Sequence, residues 1–451
     1  MPQRSDVVIV GARCAGSPLA ALLAEAGLRV TVLEKAPVLR TTLSGHMMQT
    51  DSLTFLDRLG VTERVRATGA PYLTRVDTRM DEFRAVLDFP LERGDVGGGA
   101  CVRREALDPI LADAAVRAGA DLQMGTRAID LIRVDGRVVG VRAERDGRET
   151  EFHADLVVGA DGRRSTVARL VGSRQYNVVP NERSYYWTYF EGAQWSVPTF
   201  VFHRWADRHV YAAPADHGLY IVSVSPEIGE VDRFRRDPEG MLRAHVASCD
   251  PVAEVLAHAR RADKMYGFTR FDGYFREPAG PGWALIGDAG HFKDPGVGRG
   301  MGDAFYQART LAATITAHLG RGPAKLDRAV AAWGRKRDRV YSDYYWIAAD
   351  IACAGPVPEL FPQVLQELSR RGRIDRYLEV FSHRRSPTQL MLSPTLAAAI
   401  ARLISNSTQR RTAVVGDIAR LLEQELRRRV RARNPIFADE PEPISPGVRT
   451  A

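Results

Sequence analysis

Lysine, cysteine and long apolar segments are scarce in this sequence of 451 residues. It contains only five lysines and four cysteines, and the cysteines at positions 14, 101, 249 and 353 form no C-x-x-C pair. This spacing argues against a zinc site and a disulfide framework, and it suits a reducing cytoplasm. Because no apolar run approaches the roughly 18 residues that cross a bilayer, we expect no stable membrane insertion. The first apolar stretch, residues 7–10, is also too short for a signal-peptide core.

The rest of the composition is that of an ordinary soluble globular protein, with 45% hydrophobic and 26% charged residues. Collagen, coiled coil and a disordered chain are therefore excluded. The chain exceeds the roughly 250–300 residues that one hydrophobic core supports, so at least two cores are expected. The net charge of +8 comes mostly from arginine, and acidic residues are interspersed except in the basic block 427–433. We therefore expect no nucleic acid partner.

The apolar pattern predicts an α/β fold that begins with a βαβ unit over residues 6–34. From position 185 onward, closely spaced strand-like runs indicate an antiparallel sheet. Residues 331–433 are mostly helical in pattern, and residues 434–451, with four prolines, are predicted to be a disordered tail.

Residues 411–433 form a basic amphipathic helix in this pattern. The apolar face of this helix consists of Val415, Ile418, Leu421, Leu422 and Leu426. We expect that face to dock on the core, while a contact in a homodimer or with acidic lipid stays open.

A glycine-containing turn stands where the first strand meets the first helix. In VIVGARCAGS, Gly11 and Gly16 hold the positions where a dinucleotide-binding turn needs a sharp bend and a close approach of helix and strand. Arg13 replaces the second glycine of the usual G-x-G-x-x-G. Glu34 ends the second strand, where an acidic side chain binds ribose hydroxyls. We assign these residues and the neighbouring Lys35 to the cofactor.

Two further motifs carry a resemblance to a known family. Residues 159–169 read GADGRRSTVAR, and residues 287–302 read GDAGHFKDPGVGRGMG. The first resembles the DG motif, and the second the GD motif, of FAD-dependent class A monooxygenases with the para-hydroxybenzoate hydroxylase fold. Together with the glycine turn they stand in the family's order, so the resemblance covers about residues 1–330.

The resemblance implies a Rossmann-like FAD-binding domain with a mixed or parallel sheet, an antiparallel-sheet substrate-binding domain and a helical C-terminal region. The expected segments are 1–70, 99–178 and 270–330 for the FAD-binding domain, 71–98 and 179–269 for the substrate-binding domain, and 331–433 for the helical region.

A strand that ends in Gly-Asp places the carboxylate of Asp288 at the edge of the sheet where ligands bind. By resemblance, Asp288 binds the ribityl chain of FAD. The glycine-rich loop that follows leads into a helix, so its backbone N–H groups form an anion nest. In the family, this nest meets the negative charge of the reduced flavin. The residues assigned to it are Gly298, Gly300, Met301 and Gly302, the last of which is commonly Asn in the family.

Two charged residues are assigned to the FAD phosphates by resemblance. Asp161 matches the aspartate of the DG motif, which helps to hold the pyrophosphate and supports reduction by NAD(P)H. Arg104 matches an R-x-x-L helix start whose arginine contacts the phosphates, although Arg103 could fill that role instead.

The candidate catalytic residues are His46 and Pro295. By resemblance, Pro295 lies beside the reactive face of the flavin, and Gly45 matches a cofactor-binding glycine in the loop that passes the ring system. His46 is then close to the ring, where a neutral imidazole could take a substrate proton near pH 7. A packing role for His46 stays open.

An aromatic cluster begins the antiparallel region. Strand alternation sends Tyr185, Trp187 and Tyr189 to one face and Tyr186 and Phe190 to the other, so one set is core and the other lines a pocket. An aromatic-lined pocket fits a large or planar substrate.

The resemblance implies a monooxygenase in which NAD(P)H reduces FAD, O2 adds to the flavin as a C4a-hydroperoxide, and the distal oxygen passes to an aromatic or other electron-rich small molecule. A reductase of isoprenoid double bonds, of the geranylgeranyl reductase type, stays open because its Gly-Asp-Ala-Gly-His loop is similar. A flavin halogenase is disfavoured because no W-x-W-x-I-P sequence occurs. A non-catalytic protein with this fold is disfavoured by the intact loop at 288–302.

Overall fold

The computed structural model describes residues 3–40, 42, 46–269, 271–391, 394–406, 411–433 and 435–438. The strands are β1 (Gln3–Val10), β2 (Val30–Glu34), β3 (Met47–Gln49), β4 (Arg75–Met80), β5 (Phe83–Asp88), β6 (Gly99–Cys101), β7 (Asp121–Met124), β8 (Arg127–Val134), β9 (Arg137–Arg145), β10 (Arg148–Gly159), β11 (Gln175–Val179), β12 (Tyr185–Glu191), β13 (Thr199–Trp205), β14 (Arg208–Pro214), β15 (Tyr220–Ser225), β16 (Arg260–Arg261), β17 (Tyr266–Phe268), β18 (Gly273–Arg276), β19 (Ala279–Gly280), β20 (Trp283–Leu285) and β21 (His291–Phe292).

The helices are α1 (Gly16–Glu25), α2 (Thr50–Arg58), α3 (Thr62–Arg66), α4 (Arg104–Arg117), α5 (Thr166–Leu170), α6 (Val231–Arg236), α7 (Pro238–Ala247), α8 (Asp250–Val255), α9 (Gly300–His318), α10 (Pro323–Ala352), α11 (Leu360–Arg370), α12 (Asp375–Phe381), α13 (Pro387–Met391), α14 (Pro394–Asn406) and α15 (Arg411–Arg433). None of the described helices is both long and apolar enough to cross a bilayer.

The first sheet carries the dinucleotide-binding turn. Its strands run in the order β19-β20-β10-β1-β2-β7, with β8 and β9 attached beside β10. The four neighbours β20, β10, β1 and β2 pair in parallel, as do β2 and β7. Residues 7–10 of β1 are buried on both faces, because α1 and α9 cover one side and the β8–β9 hairpin with α5 covers the other. A continuous apolar run is what such a two-sided burial requires.

The second sheet roofs the carboxyl edge of the first. Its strands run in the order β16-β12-β15-β14-β13-β4-β5, with β17 also on β12. All of its pairs are antiparallel except β4 with β13. Strands β4 and β5 come from an earlier segment of the chain than the other strands of this sheet. The predicted α/β architecture, with a mixed sheet, an antiparallel-sheet region and a helical C-terminal region, is confirmed. The exact domain boundaries stay a proposal, which the strand membership of the two sheets supports.

The C-terminal region is helical and packs against the open face of the second sheet. Side chains of α11, α12 and α14 share one apolar cluster with β4, β5 and β13. Helix α15 lies along α10, where Arg428 pairs with Asp350 and lies over the ring of Trp346.

The expected docking of α15 through its apolar face is wrong for the residues described there. Val415, Leu422 and Leu426 are exposed on α15, at 53%, 57% and 64% of their surface. The helix contacts α10 through arginines instead, since Arg428 pairs with Asp350, and Arg428 and Arg431 both lie over the ring of Trp346.

The tail prediction is also wrong for residues 435–438. Phe437 bridges to Tyr176 of β11, and the backbone N–H of Asn177 donates a hydrogen bond of 2.8 Å to the carbonyl of Ile436. Arg174 lies over the Phe437 ring at 4.1 Å. The ring contacts of Phe437 and the free edge of β11 order these residues, although prolines favour disorder.

Candidate active site

A cavity of about 620 Å3 runs along the carboxyl edge of the first sheet and continues beneath the second sheet. This volume falls within the usual range for ligand pockets, roughly 300–1,000 Å3. One arm of the cavity passes the glycine turn and Glu34, and the other ends in a chamber lined by aromatic rings. The two arms meet at the residues of the GD motif.

The glycine turn is shaped by close backbone contacts. Gly11 has a φ of +105°, and a Cβ atom on it would lie 2.5 Å from the carbonyl oxygen of Ala160. A Cβ atom on Gly16 would collide with the carbonyl of Gly11. Both positions therefore need glycine, and the turn leaves the start of α1 open to the cavity.

Glu34 closes the far end of this arm. Its carboxylate accepts hydrogen bonds of 3.0 Å from the backbone N–H groups of Ala12 and Ala36. These bonds fix the carboxylate at the cavity wall, where Glu34 and the exposed Lys35 both contribute to the lining.

An arginine pair flanks the turn and shares one buried carboxylate. Asp108, which is 0% exposed, accepts bonds of 2.7 and 3.1 Å from Arg104 and one of 2.8 Å from Arg13. Two guanidinium groups on one carboxylate leave a positive surplus at the cavity wall, which suits a diphosphate. Arg103 instead pairs with Asp216 and does not line the cavity, so Arg104 is the one of the two that faces it. The sequence offered a signal for Asp108, which lies one helical turn after Arg104.

Asp161 lines the cavity, but its carboxylate accepts hydrogen bonds from other residues of the DG loop. Asp161 accepts hydrogen bonds from the Ser165 hydroxyl at 2.5 Å and from the Thr166 backbone N–H at 2.6 Å. Because these bonds hold the start of α5, Asp161 orders the DG loop. Arg163, which sequence reasoning passed over, stacks on Phe268 at 4.3 Å and Phe292 at 5.1 Å and also lines the cavity.

The GD motif places Asp288 where the two arms meet. Gly287 has a φ of +58° and donates its N–H to the side chain of Gln307 at 2.9 Å, which fixes the turn after β20. Burial raises the pKa of Asp288, against the opposing charges of Arg163 and Arg104.

The flavin loop, defined here as residues 294–302, forms the floor of the aromatic chamber. Pro295 begins a short 3-10 turn, and Gly298 has a φ of +62°. Helix α9 then begins at Gly300, so the N–H groups of its first turn have no partner within the helix. Met301 is buried beneath this turn, and a Cβ atom on Gly302 would lie 2.8 Å from the hydroxyl of Ser52. The turn therefore offers an anion nest at the cavity wall.

Arg299 ties the flavin loop to two other parts of the chain. This buried guanidinium donates to Asp51 of α2 at 2.7 and 2.8 Å and to the backbone carbonyl of Phe381 at 2.5 Å. No sequence pattern indicates this contact, because Asp51 and Phe381 are both far from Arg299 along the chain.

His46 lies at the wall of the chamber, and Gly45 lies outside the described residues. The Nε2 atom of His46 is 2.7 Å from the hydroxyl of Tyr189, and its ring meets the edge of Trp187. Burial, aided by Arg104, lowers the pKa of His46 to about 3. The imidazole is therefore neutral at pH 7, as expected, but it is a weak base.

The chamber is built from both sheets and the C-terminal helices. Tyr185 and Trp187 face it, while Tyr186 and Phe190 pack on the other face of β12, as the alternation predicts. The other aromatic lining residues are Phe89, Phe200, Phe202, Tyr211, Phe268, Phe292, Tyr377 and Phe381. Tyr377 and Phe381 belong to α12, and no sequence motif predicted that this helix lines the chamber.

With this geometry described, comparison with known proteins decides the family. Residues 4–239, just over half of the chain, match the family described as FAD binding domain. The chain belongs to this family. The glycine turn, the arginine pair and the helix start of α9 fit a flavin dinucleotide, which needs a diphosphate site and a nest for the reduced ring.

Two similar sequences and one similar solved structure were found. The chain is 28% identical over 338 residues to digeranylgeranylglycerophospholipid reductase of Methanothrix thermoacetophila, covering 70% of this chain and 78% of that protein. It is 33% identical over 172 residues to 6-methylpretetramide 4-monooxygenase of Streptomyces rimosus, covering 37% and 41%. The solved flavin-dependent brominase Bmp2 superposes with a TM-score of 0.70 at 19% identity, covering 90% and 99%, which shows a shared fold. The protein is an FAD-dependent oxidoreductase.

Proposed function

We propose that this flavoprotein is a cytoplasmic monooxygenase that uses NAD(P)H and O2 to hydroxylate a planar aromatic small molecule. The observation that carries this proposal is the chamber of aromatic rings that opens directly on Pro295 and the flavin loop. Flat rings stack well on aromatic side chains and exclude water from the reacting atoms. Reduced FAD, when bound, supplies the activation of O2 and the electrons that it receives from NAD(P)H.

The chain's own residues hold the cofactor. Glu34 and Lys35 stand where the ribose would bind, and Arg13 and Arg104 stand where the diphosphate would bind. The remaining residues proposed for cofactor binding are Gly11, Gly16, Asp161, Asp288, Gly298, Gly300, Met301 and Gly302. Asp161 acts through the DG loop that it orders.

Pro295, in the flavin loop, and His46, just before β3, both line the chamber. Because its pKa is about 3, His46 is better suited to orienting Tyr189 than to taking a substrate proton. We propose that Pro295 and His46 both contact the substrate in the chamber.

A second activity, reduction of an isoprenoid double bond, is favoured by one observation. The relative that covers 70% of the chain is named a digeranylgeranylglycerophospholipid reductase, whereas the monooxygenase relative covers 37%. The lining argues against this activity, since a long isoprenoid chain suits an aliphatic tunnel. The aromatic rings of the chamber outnumber its aliphatic residues, which are Val76, Ala212, Ala213, Ile221, Val297 and Leu378.

The experiment measures oxygen uptake by the purified holoprotein with NADH or NADPH, alone and with 1-naphthol, 2-naphthol and larger polycyclic phenols. The proposal expects uptake that a phenol stimulates and a product heavier by one oxygen atom in mass spectrometry. A matched anaerobic assay supplies geranylgeranyl diphosphate instead. Saturation of that chain, with no phenol-stimulated uptake, would replace the monooxygenase by the reductase.

A further inference from the structure

A row of exposed apolar side chains runs along helix α15. Val415, Leu422, Leu426 and Val430 leave between 53% and 64% of their surface exposed. At 3.6 residues per turn, these positions fall within about 80° of one another around the helix and extend over about 22 Å of its length. We call these four residues the α15 stripe. Single exposed apolar residues are common on protein surfaces, but a row of them marks an interaction surface.

The α15 stripe lies on the side of the helix that faces away from α10. Arg428 donates a hydrogen bond of 2.8 Å to Asp350 of α10. The guanidinium groups of Arg428 and Arg431 lie 5.2 and 5.9 Å from the centre of the Trp346 ring. The helical repeat places these two arginines about half a turn away from the stripe. Helix α15 thus contacts α10 through its polar side, and the stripe faces solvent.

Positive charge accompanies the stripe. Residues 411–433 contain seven arginines and only three acidic residues. Arg427 and Arg429 are exposed, and each pairs with a glutamate one turn earlier in the helix. Because exposed pairs of this kind contribute little to stability, both guanidinium groups can turn to a stronger anionic partner. A phosphate is such a partner, since it accepts two hydrogen bonds from one arginine.

A second copy of the chain fits this surface poorly. Two packed helices need apolar residues in alternating steps of four and three. From Val415, this spacing reaches Ala419, Leu422, Leu426, Arg429 and Arg433. A pair of α15 helices would therefore bury two arginines of each copy in the seam, which is costly for unpaired charges. At a bilayer surface, in contrast, a long arginine side chain can extend from the helix to the lipid phosphates.

We propose that α15 is an amphipathic helix that docks the protein on the surface of a bilayer containing anionic phospholipids. The α15 stripe enters the boundary between headgroups and acyl chains, roughly 5–10 Å deep, and the flanking arginines bind phosphates. Ten of the 23 residues of α15 are charged, so the helix lies along the bilayer surface. The net charge of +8 also draws the whole protein towards an anionic surface. This docking is independent of the proposed reaction.

Vesicle sedimentation with the full-length holoprotein tests the docking. The probes are vesicles of phosphatidylcholine alone and vesicles of phosphatidylcholine and phosphatidylglycerol in equal amounts. We expect binding to the anionic vesicles that weakens with added salt, because the Debye length falls from about 30 Å at 0.01 M to about 3 Å at 1 M. No binding to the anionic vesicles, or equal binding to both kinds, would refute the proposal.

Substitutions in α15 assign the binding to this helix. Leu426→Glu should weaken binding to the anionic vesicles by at least about tenfold, because the burial of a leucine side chain is worth that much. Arg429→Gln should weaken it by about fivefold, the usual effect of one basic residue near an anionic surface. Val134→Glu is the matched control, since Val134 of β8 is 56% exposed and the charge change is the same. The control should bind like the wild type.

Circular dichroism and the FAD content should be unchanged in all three variants, because the substituted side chains are exposed. If Leu426→Glu binds the anionic vesicles like the wild type, another surface holds the lipid and the assignment to α15 is wrong.

Light scattering after size-exclusion chromatography tests the rival occupant, a second copy of the chain. We expect the same molar mass for the wild type and for Leu426→Glu. A larger wild-type species that Leu426→Glu converts to a monomer would overturn the proposal in favour of a contact between copies.

Discussion

The glycine turn offers a sharp test, because two glycines of the same βαβ unit separate backbone strain from collision. Gly11 combines a φ of +105° with a Cβ position 2.5 Å from the carbonyl oxygen of Ala160. Gly27 has a φ of +82° and nothing within 4 Å of its Cβ position. For Gly11→Ala we expect about 1–3 kcal/mol from the strained backbone and about 1–3 kcal/mol from overpacking, since a backbone carbonyl cannot rotate away. Gly27→Ala should lose only about 1–2 kcal/mol, which is the backbone part.

Urea unfolding followed by circular dichroism measures both losses, and the ratio of flavin to protein absorbance measures FAD retention. Because Ala160 leads into the DG loop, Gly11→Ala should also weaken FAD binding by at least about tenfold, or about 1.4 kcal/mol. Gly27→Ala should retain FAD at the wild-type ratio. Equal destabilisation by the two substitutions, with FAD kept in both, would show that the contact with Ala160 does not shape the site.

Three further outcomes follow from buried contacts of the site. Burial lowers the pKa of His46 from 6.5 to about 3. Between these two pH values the imidazole is protonated in the unfolded chain and neutral in the folded chain. The free energy of unfolding therefore falls as the pH drops below 6.5. His46→Gln should therefore lose less stability than the wild type between pH 6.5 and about pH 5, by about 1.4 kcal/mol per pH unit, as urea titrations at each pH can measure. Asp51→Asn leaves the buried Arg299 without its closest carboxylate and should cost about 3 kcal/mol of folding stability, with faster tryptic cleavage after α12. An unchanged digestion pattern would argue against the role of Arg299 in linking α2 and α12 to the flavin loop. Gly302→Asn, the residue common in the family, should lower FAD content because its Cβ atom meets Ser52 at 2.8 Å, and a holoprotein with full FAD would contradict this packing.

Local patterns were sufficient to predict the fold class, with its opening βαβ unit, antiparallel region and helical C-terminal region. A buried strand, a glycine turn and an acidic strand end lie within a few residues of one another, so their spacing alone places Gly11, Gly16 and Glu34 at one sheet edge. The alternation of β12 likewise predicted which aromatic residues share a face. The same local reasoning failed for α15, because Val415, Leu422 and Leu426 of its apolar face are exposed.

What only the tertiary structure decided are the contacts between distant segments. The sequence around Arg103 and Arg104 could not show which of them faces the cavity, because the answer depends on Asp216. This residue lies in the turn between β14 and β15 and pairs with Arg103, which does not line the cavity. Asp294 and Tyr185 are 109 positions apart, so the sequence did not predict the hydrogen bond between them. It also did not predict that side chains of α12 line the chamber. The sequence by itself determined the secondary structure and the flavin motifs, since these depend on nearest neighbours along the chain. Burial and electrostatics at the site depend on what packs across it, and those neighbours exist only once the two sheets and the C-terminal helices have come together.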